Sequence, residues 1–253
     1  MTSELSRGAG FLLRGFVLLR RPRILPFVVV PLLINIALFY FGIYSLYDSF
    51  STWLNAWLAR IPEWLDFIRW ILWPLFAAAM LLLVAFGFTL AANLIGSPFY
   101  GLMAEQVELI QSGKTADAPL SWRGALALVP RALLRELAKL GHYLRWLLPL
   151  LLLSLLSLLI TPLATLMPVF WFLFGAWMLA IQYVDYSYDN HQRSIGELKK
   201  DLRRHRWTAI GFGGATTLAS MVPVLNILVV PAAVCGAVVF WLEQLDNNTT
   251  VSL

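Results

Sequence analysis

The side chains able to carry chemistry fall into three groups. Arg131, Arg135, Lys139 and His142 recur at three- and four-residue steps, so a helix would align them as one basic ridge. Such a ridge suits a solvated face, anionic lipid headgroups, contact with a dianion, or pairing with buried acids. The densest polar run is Asp185, Tyr186, Ser187, Tyr188, Asp189, Asn190 and His191, which would offer a metal oxygen ligands and one imidazole. Its other reading puts the tyrosines at headgroup level, with Asp189 or Asn190 capping the next helix or pairing with nearby Arg and Lys. Arg20, Arg21 and Arg23 crowd around Pro22, where basic residues can serve simply as anchors touching phospholipid.

Many chemistries lack their residues altogether. There is no G-x-x-x-x-G-K-[ST] phosphate loop, so the chain does not hydrolyse nucleotides by that device, and H-E-x-x-H, paired-cysteine spacing and G-x-S-x-G are absent. His142 and His205 have weaker claims as metal ligands than His191. Gly211-x-Gly213-Gly214 follows no strand, so it reads as close helix packing and not as a nucleotide loop. The one cysteine, Cys235, lies in an apolar run and reads as a small buried side chain. No enzyme activity, cofactor, metal or nucleic-acid partner is expected.

The elements that must position these groups are membrane helices. Of 253 residues, 60% are hydrophobic and only 13% charged. No charge occurs in 24–47, 70–104, 146–184 or 207–242, and a hydrocarbon core of roughly 30 Å needs about 20 apolar residues to cross. If the first two runs cross once and the last two enter and return, all but Arg60 and Arg69 of the 19 Lys and Arg share one face, which is then cytoplasmic. A single membrane domain over 1–253 is expected, with no cleavable signal peptide.

Along the chain, Arg7, Arg14 and Arg21 recur every seven residues opposite Phe11, Leu12, Phe16 and Leu19, which predicts a helix in the membrane surface over 1–22. Spans follow at 24–47 and 70–95, joined by an outer-surface connection bearing Trp53, Trp57 and Trp64. Gly96-Ser97-Pro98 predicts a helix break, and 97–145 a cytoplasmic helical segment. Breakers at 161–168 and at Pro223, Asn226 and Pro231 would split 146–184 and 207–242 into re-entrant hairpins. The arms of the first, about 15 residues each, reach only roughly 23 Å.

Three segments then carry a likeness: Asn93-Leu-Ile-Gly-Ser-Pro98-Phe-Tyr-Gly101-Leu-Met-Ala-Glu105-Gln106-Val-Glu108; Pro130-Arg131 through Arg135-Glu136 to Lys139; and Trp177 through Gln182-Tyr183-Val-Asp185 to His191. With Val224-Leu-Asn226 through Pro231 to Cys235-Gly236, they resemble the CysZ family of bacterial inner-membrane sulfate transporters, a resemblance that runs from about Gly15 to Trp241. It implies an all-α, multi-pass protein of two long transmembrane helices, two hemi-penetrating hairpins and interfacial helices. It also implies a homo-oligomer in the bacterial inner membrane that takes up sulfate for cysteine biosynthesis. The rival class is a non-transporting scaffold or accessory subunit that recruits a cytoplasmic partner.

The same resemblance places sulfate in the turn before the first span, where the family often has Gln-Pro-Gly-x-Arg-Arg. This chain departs from that pattern, since the turn reads Arg20-Arg21-Pro22-Arg23-Ile24-Leu25-Pro26 and the two family arginines fall on Leu25 and Pro26. Arg20, Arg21 and Arg23 are the expected substitutes. A charged network lining or gating the path is expected from Glu105, Glu108, Arg131, Arg135, Glu136, Lys139, Asp185, Asp189 and His191. Within it Glu105 is expected to pair with Arg131 or Arg135, leaving some cationic character for the dianion.

Overall fold

A computed structural model describes residues 1–58, 66–113 and 122–246. The chain runs through α1 (Thr2–Leu18), α2 (Leu25–Leu58), α3 (Asp66–Gln111), α4 (Trp122–Ser157), α5 (Thr161–Asn190), α6 (Ile195–Arg204), α7 (Arg206–Ser220) and α8 (Pro223–Phe240). A π-helical turn, Trp241–Leu245, follows. No strand occurs among the described residues, so the protein is all-α. Leu25–Gly42, Leu134–Ser157, Thr161–Asn190 and Leu225–Leu245 are each long and apolar enough to cross a membrane. The chain forms two compact units, Val29–Ser97 and the combination of Met1–Val28 with Pro98–Leu253.

The helices of the smaller unit continue past their expected ends. No Gly or Pro lies between Asp48 and Leu58, so nothing interrupts the i to i−4 ladder and α2 continues to Leu58. Of the expected outer connection, only 59–65 lies outside the described residues. Nor does Gly96-Ser97-Pro98 break α3, which carries on to Gln111. Pro98 removes one ladder bond, but apolar surroundings supply no water to replace the others, and the helix persists. Leu33, Ile36, Tyr40, Phe41 and Tyr44 of α2 are all exposed, as side chains facing hydrocarbon would be.

In the larger unit, α1 rests directly on α7 and α8. A Cβ on Gly8 would lie 2.1 Å from the Thr208 carbonyl oxygen, one on Gly211 2.2 Å from that of Leu5, one on Gly15 1.9 Å from that of Ala232, and one on Gly236 2.5 Å from that of Phe11. Only hydrogen fits at these four places, so backbone touches backbone. Gly8 and Gly15 are seven residues apart and therefore on one face of α1. Phe11 and Leu12, expected to face the membrane surface, are instead buried between those contacts, and Phe11 stacks on Phe240 at 5.2 Å. The packing role read for Gly211 and Gly213 is present here, since a Cβ on Gly213 would lie 1.8 Å from the Ala176 carbonyl oxygen of α5.

Both hairpins turn earlier than the prolines suggested. α4 gives way to α5 at residues 158–160, and α7 to α8 at 221–222, in each case just before a proline in the first turn of the returning arm. Proline is preorganised there, and its missing N–H is one that the helix start would leave unpaired. The tips close on backbone bonds, Leu159 N–H to Leu156 O at 3.1 Å, Ile160 N–H to Ser157 O at 3.3 Å and Val222 N–H to Ala219 O at 3.2 Å. Neither Ile160 nor Val222 provides a side-chain cap.

The short α6 is held differently, by a capping box. Ser194 N–H donates to the Glu197 carboxylate at 2.7 Å, and Glu197 N–H donates to the Ser194 hydroxyl at 3.2 Å. The bonds from Ser194 hold the Glu197 carboxyl below its ordinary range. With its start fixed, α6 places Leu198 and Leu202 in the core.

The glycine contacts carry a direct expectation. Gly15→Ala and Gly211→Ala should each destabilise the folded protein by about 1–3 kcal/mol through overpacking. Gly10→Ala, with no atom within 4 Å of its Cβ, should be neutral or stabilising. Thermal unfolding in detergent measures all three; equal midpoints for Gly15→Ala and Gly10→Ala would remove the close-approach account.

Candidate functional site

The basic ridge of α4 meets its acids on α5. Gln182, Asp185 and Asp189 recur at three- and four-residue steps and so share one face, which turns toward Arg135, Glu136 and Lys139. The Arg135 guanidinium donates to both Asp185 oxygens, through Nη2 to Oδ1 and through Nε to Oδ2 at 3.3 Å. It also lies 3.3 Å from Asp189 Oδ1 and donates to the Arg193 carbonyl at 2.9 Å. Lys139 Nζ lies 2.7 Å from Glu136 Oε1 and 3.3 Å from Asp185 Oδ2, while Gln182 donates to Glu136 at 3.3 Å. Asp185 is 3% exposed and Lys139 8%, so this is a buried pairing with nearly every donor engaged.

That arrangement corrects two expectations. Arg135 pairs with Asp185 and Asp189, not with Glu105, which is exposed on α3. Among the described residues the network has no surplus positive charge, because two cations, Arg135 and Lys139, face three carboxylates, Glu136, Asp185 and Asp189. These described groups satisfy one another and fix α4 against α5. Arg131 lies on α4, but its side chain is outside the described residues. Beside the network, a cavity of about 320 Å³ between α4 and α5 is lined by Glu136, Lys139, His142, Tyr143 and Gln182.

The polar run at the end of α5 reaches outward in several directions, because successive helical residues rotate by about 100°. Tyr188 donates to Asp201 of α6 at 2.8 Å, and Asn190 donates to the Gly101 carbonyl of α3 at 2.9 Å. His191 pairs with Glu108 at 2.9 Å and stacks on Trp241 at 4.3 Å. Tyr186 packs edge-on against Tyr100 at 6.0 Å, under the ammonium of Lys139. Neither Asp189 nor Asn190 caps α6, a role that Ser194 takes. No grouping of three or more metal-ligating side chains occurs among the described residues.

Arg193 was missed in the sequence. It pairs with Asp246 at 3.1 Å and lies over the Tyr188 and Trp241 rings, so it locks the turn after α5 to the chain's last described segment. Its available signal was position, two residues beyond the acidic run and next to the Ser194 cap.

Arg20, Arg21 and Arg23 sit in the turn between α1 and α2, and all three are exposed. Leu19 and Ile24 are buried beneath them, and Ile24 N–H donates to the Arg21 carbonyl at 2.9 Å, so the turn has a fixed backbone. Among the described residues no carboxylate pairs with any of the three. Arg14, within α1 and ahead of the turn, pairs with Glu243 at 2.5 Å. Leu25 and Pro26 are exposed, so the two positions where the resembled family has arginine also face outward here.

Residues 11–231 match the family described as sulfate transporter CysZ/etoposide-induced protein 2.4. The sulfate transporter CysZ of Pseudomonas aeruginosa is 40% identical over 247 residues, covering 96% of this chain and 98% of that protein. That of Pseudomonas fluorescens is 41% identical over 252 residues, covering 100% and 99%. That of Vibrio parahaemolyticus is 40% identical over 241 residues, covering 95% and 96%.

The buried pairing sets a second expectation. Asp185→Asn takes away the buried two-oxygen acceptor of Arg135 and the carboxylate beside Lys139, and should cost about 3–5 kcal/mol. Glu105→Gln should stay within about 0.5 kcal/mol of the parent. Unfolding midpoints compare the two; a harmless Asp185→Asn would deny the network its structural role.

Proposed function

The chain belongs to the sulfate transporter CysZ/etoposide-induced protein 2.4 family, and we propose that it takes up sulfate across the bacterial inner membrane to supply cysteine biosynthesis. The observation that carries this reading is likeness over almost the full length to relatives that are themselves named sulfate transporters. On this reading the protein is a multi-pass transporter and not an enzyme, and passage is channel-like or secondary, since no nucleotide-hydrolysing loop is present.

Sulfate is captured at the turn between α1 and α2. The described cations elsewhere in the site, Arg135, Lys139 and Arg193, already face carboxylates, whereas Arg20, Arg21 and Arg23 present unpaired guanidinium forks from a rigid backbone. Planar forks donate paired hydrogen bonds to the edges of a tetrahedral oxyanion. The backbone supplies little, because Leu25 N–H and Phe27 N–H are already bonded to Arg21 O and Ile24 O, and Pro26 has no N–H. Side chains must therefore do the binding. The paired groups Glu108, Glu136, Asp185, Asp189 and His191 act further in, beside a polar passage that Glu105 and Arg131 also line.

In the bilayer α2 and α3 cross, and the hairpins α4–α5 and α7–α8 dip in and return, the first on the family likeness alone, since its arms are longer than expected and each could cross. α7 has 15 residues, about 22 Å, which is short of the hydrocarbon thickness. All-apolar hairpin surfaces, such as Leu148, Leu152, Leu155 and Leu159, face lipid or a second copy in a homo-oligomer.

Radiolabelled sulfate flux into liposomes containing only this protein is the test. Parent protein should conduct, and Arg20→Ala/Arg21→Ala/Arg23→Ala should weaken sulfate binding by about 1.5–3 kcal/mol for each direct bond lost. Absence of flux from the pure parent would favour a scaffold, and unchanged affinity in the triple variant would assign the three arginines to lipid. Topology has its own measurement: with cytoplasmic termini, cysteines placed at Leu159 and Val222 should resist an impermeant reagent applied from the periplasm. Ready labelling of both would turn the hairpins into full crossings.

A further inference from the structure

A second basic cluster lies apart from the sulfate turn and from the paired network. His142 of α4 and Lys199 and Arg203 of α6 line one end of a cavity of about 470 Å³. Its remaining walls are apolar, formed by Trp146, Pro149, Leu150 and Leu153 of α4 and by Phe170, Leu173, Phe174, Trp177 and Met178 of α5. Among the described residues no carboxylate lines it. The Nε2 atom of His142 is buried without a hydrogen-bond partner, and neither Lys199 nor Arg203 pairs with a carboxylate among the described residues. Such a site has unanswered donors at one end and unfilled apolar space behind them.

We infer that this cavity binds one anionic phospholipid, with the phosphate held by His142, Lys199 and Arg203 and an acyl chain laid along Trp146, Leu153 and Phe174. Charge complementarity selects the headgroup, because the three titratable groups that face the cavity among the described residues, His142, Lys199 and Arg203, are all bases. The apolar wall selects a lipid over a free oxyanion, since sulfate or inorganic phosphate has nothing to place against leucine and phenylalanine. The placement agrees with the flanking chain: Arg145 and Trp146 adjoin the basic end, a pairing common at headgroup level, and the α4 and α5 segments behind it are apolar enough to lie in hydrocarbon. The bound lipid would tie α6 to the α4–α5 hairpin. This inference does not depend on sulfate being the transported ion.

The test is native mass spectrometry of the purified full chain, delipidated and then offered equimolar phosphatidylglycerol and phosphatidylethanolamine. One phosphatidylglycerol should be retained in preference to phosphatidylethanolamine. Lys199→Gln/Arg203→Gln should weaken retention by about fivefold per charge, about 25-fold together. Leu153→Trp, which fills the apolar wall and keeps every base, should also reduce it, whereas Lys200→Gln/Arg204→Gln on the same short helix should leave it unchanged. Equal retention of the two lipids, or equal loss from the two double variants, would overturn the site as a specific one. Displacement by millimolar sulfate with no effect of Leu153→Trp would overturn it in favour of a free-anion site.

Discussion

Within the larger unit the organisation depends on four missing side chains. Because Gly8, Gly15, Gly211 and Gly236 leave room for backbone against backbone, α1 settles onto α7 and α8 closely enough for Phe11 and Phe240 to stack. Helix association inside apolar surroundings gains little from the hydrophobic effect, so close van der Waals packing must supply the attraction. Seating α1 in this way determines where its last turn lies. Leu18, Leu19 and Ile24 are thereby buried, and the three arginines between and beside them are turned outward on a backbone that cannot wander. At the other end of α8 the same packing delivers Trp241 to His191 and Arg193.

The end of α5 does the complementary task of joining helices through polar groups. A buried ion pair is not a source of large net stability, since desolvation offsets most of the attraction. It is, however, selective about geometry. Asp185 accepts from Arg135 and lies beside Lys139, and a slide of one residue along α5 would break both contacts and leave charges unpaired in a dry interface. Hydrophobic contacts between α4 and α5 would tolerate such a slide more readily, so the acidic run specifies register where leucines cannot.

Much of this was legible because membrane constraints are blunt. Charge-free runs marked the helices, and the glycines of α7 announced tight packing because no strand preceded them. The misreadings have a common origin in proline. Pro162 and Pro223 were taken as points where a helix stops, whereas each sits in the first turn of the next arm, where its fixed φ and absent donor are an advantage. Pro98 was taken as a break and is carried within α3. The partner of Arg135 was illegible for another reason. Glu105 and Asp185 are equally plausible by charge, and only the three-dimensional register of α4 on α5 decides between them.

The uncapped hairpin tips have an electrical consequence. Each helix carries roughly half a unit of positive charge at its start and half a unit of negative charge at its end. At residues 158–160 the negative end of α4 meets the positive start of α5, and at 221–222 the end of α7 meets the start of α8. The two halves of each tip therefore neutralise one another without any ionised side chain. A hairpin built this way presents almost no net dipole to a transmembrane field, so voltage exerts little torque on it. Any voltage sensitivity of such a protein would then reside in the charge that moves through it and not in the helices that surround the passage.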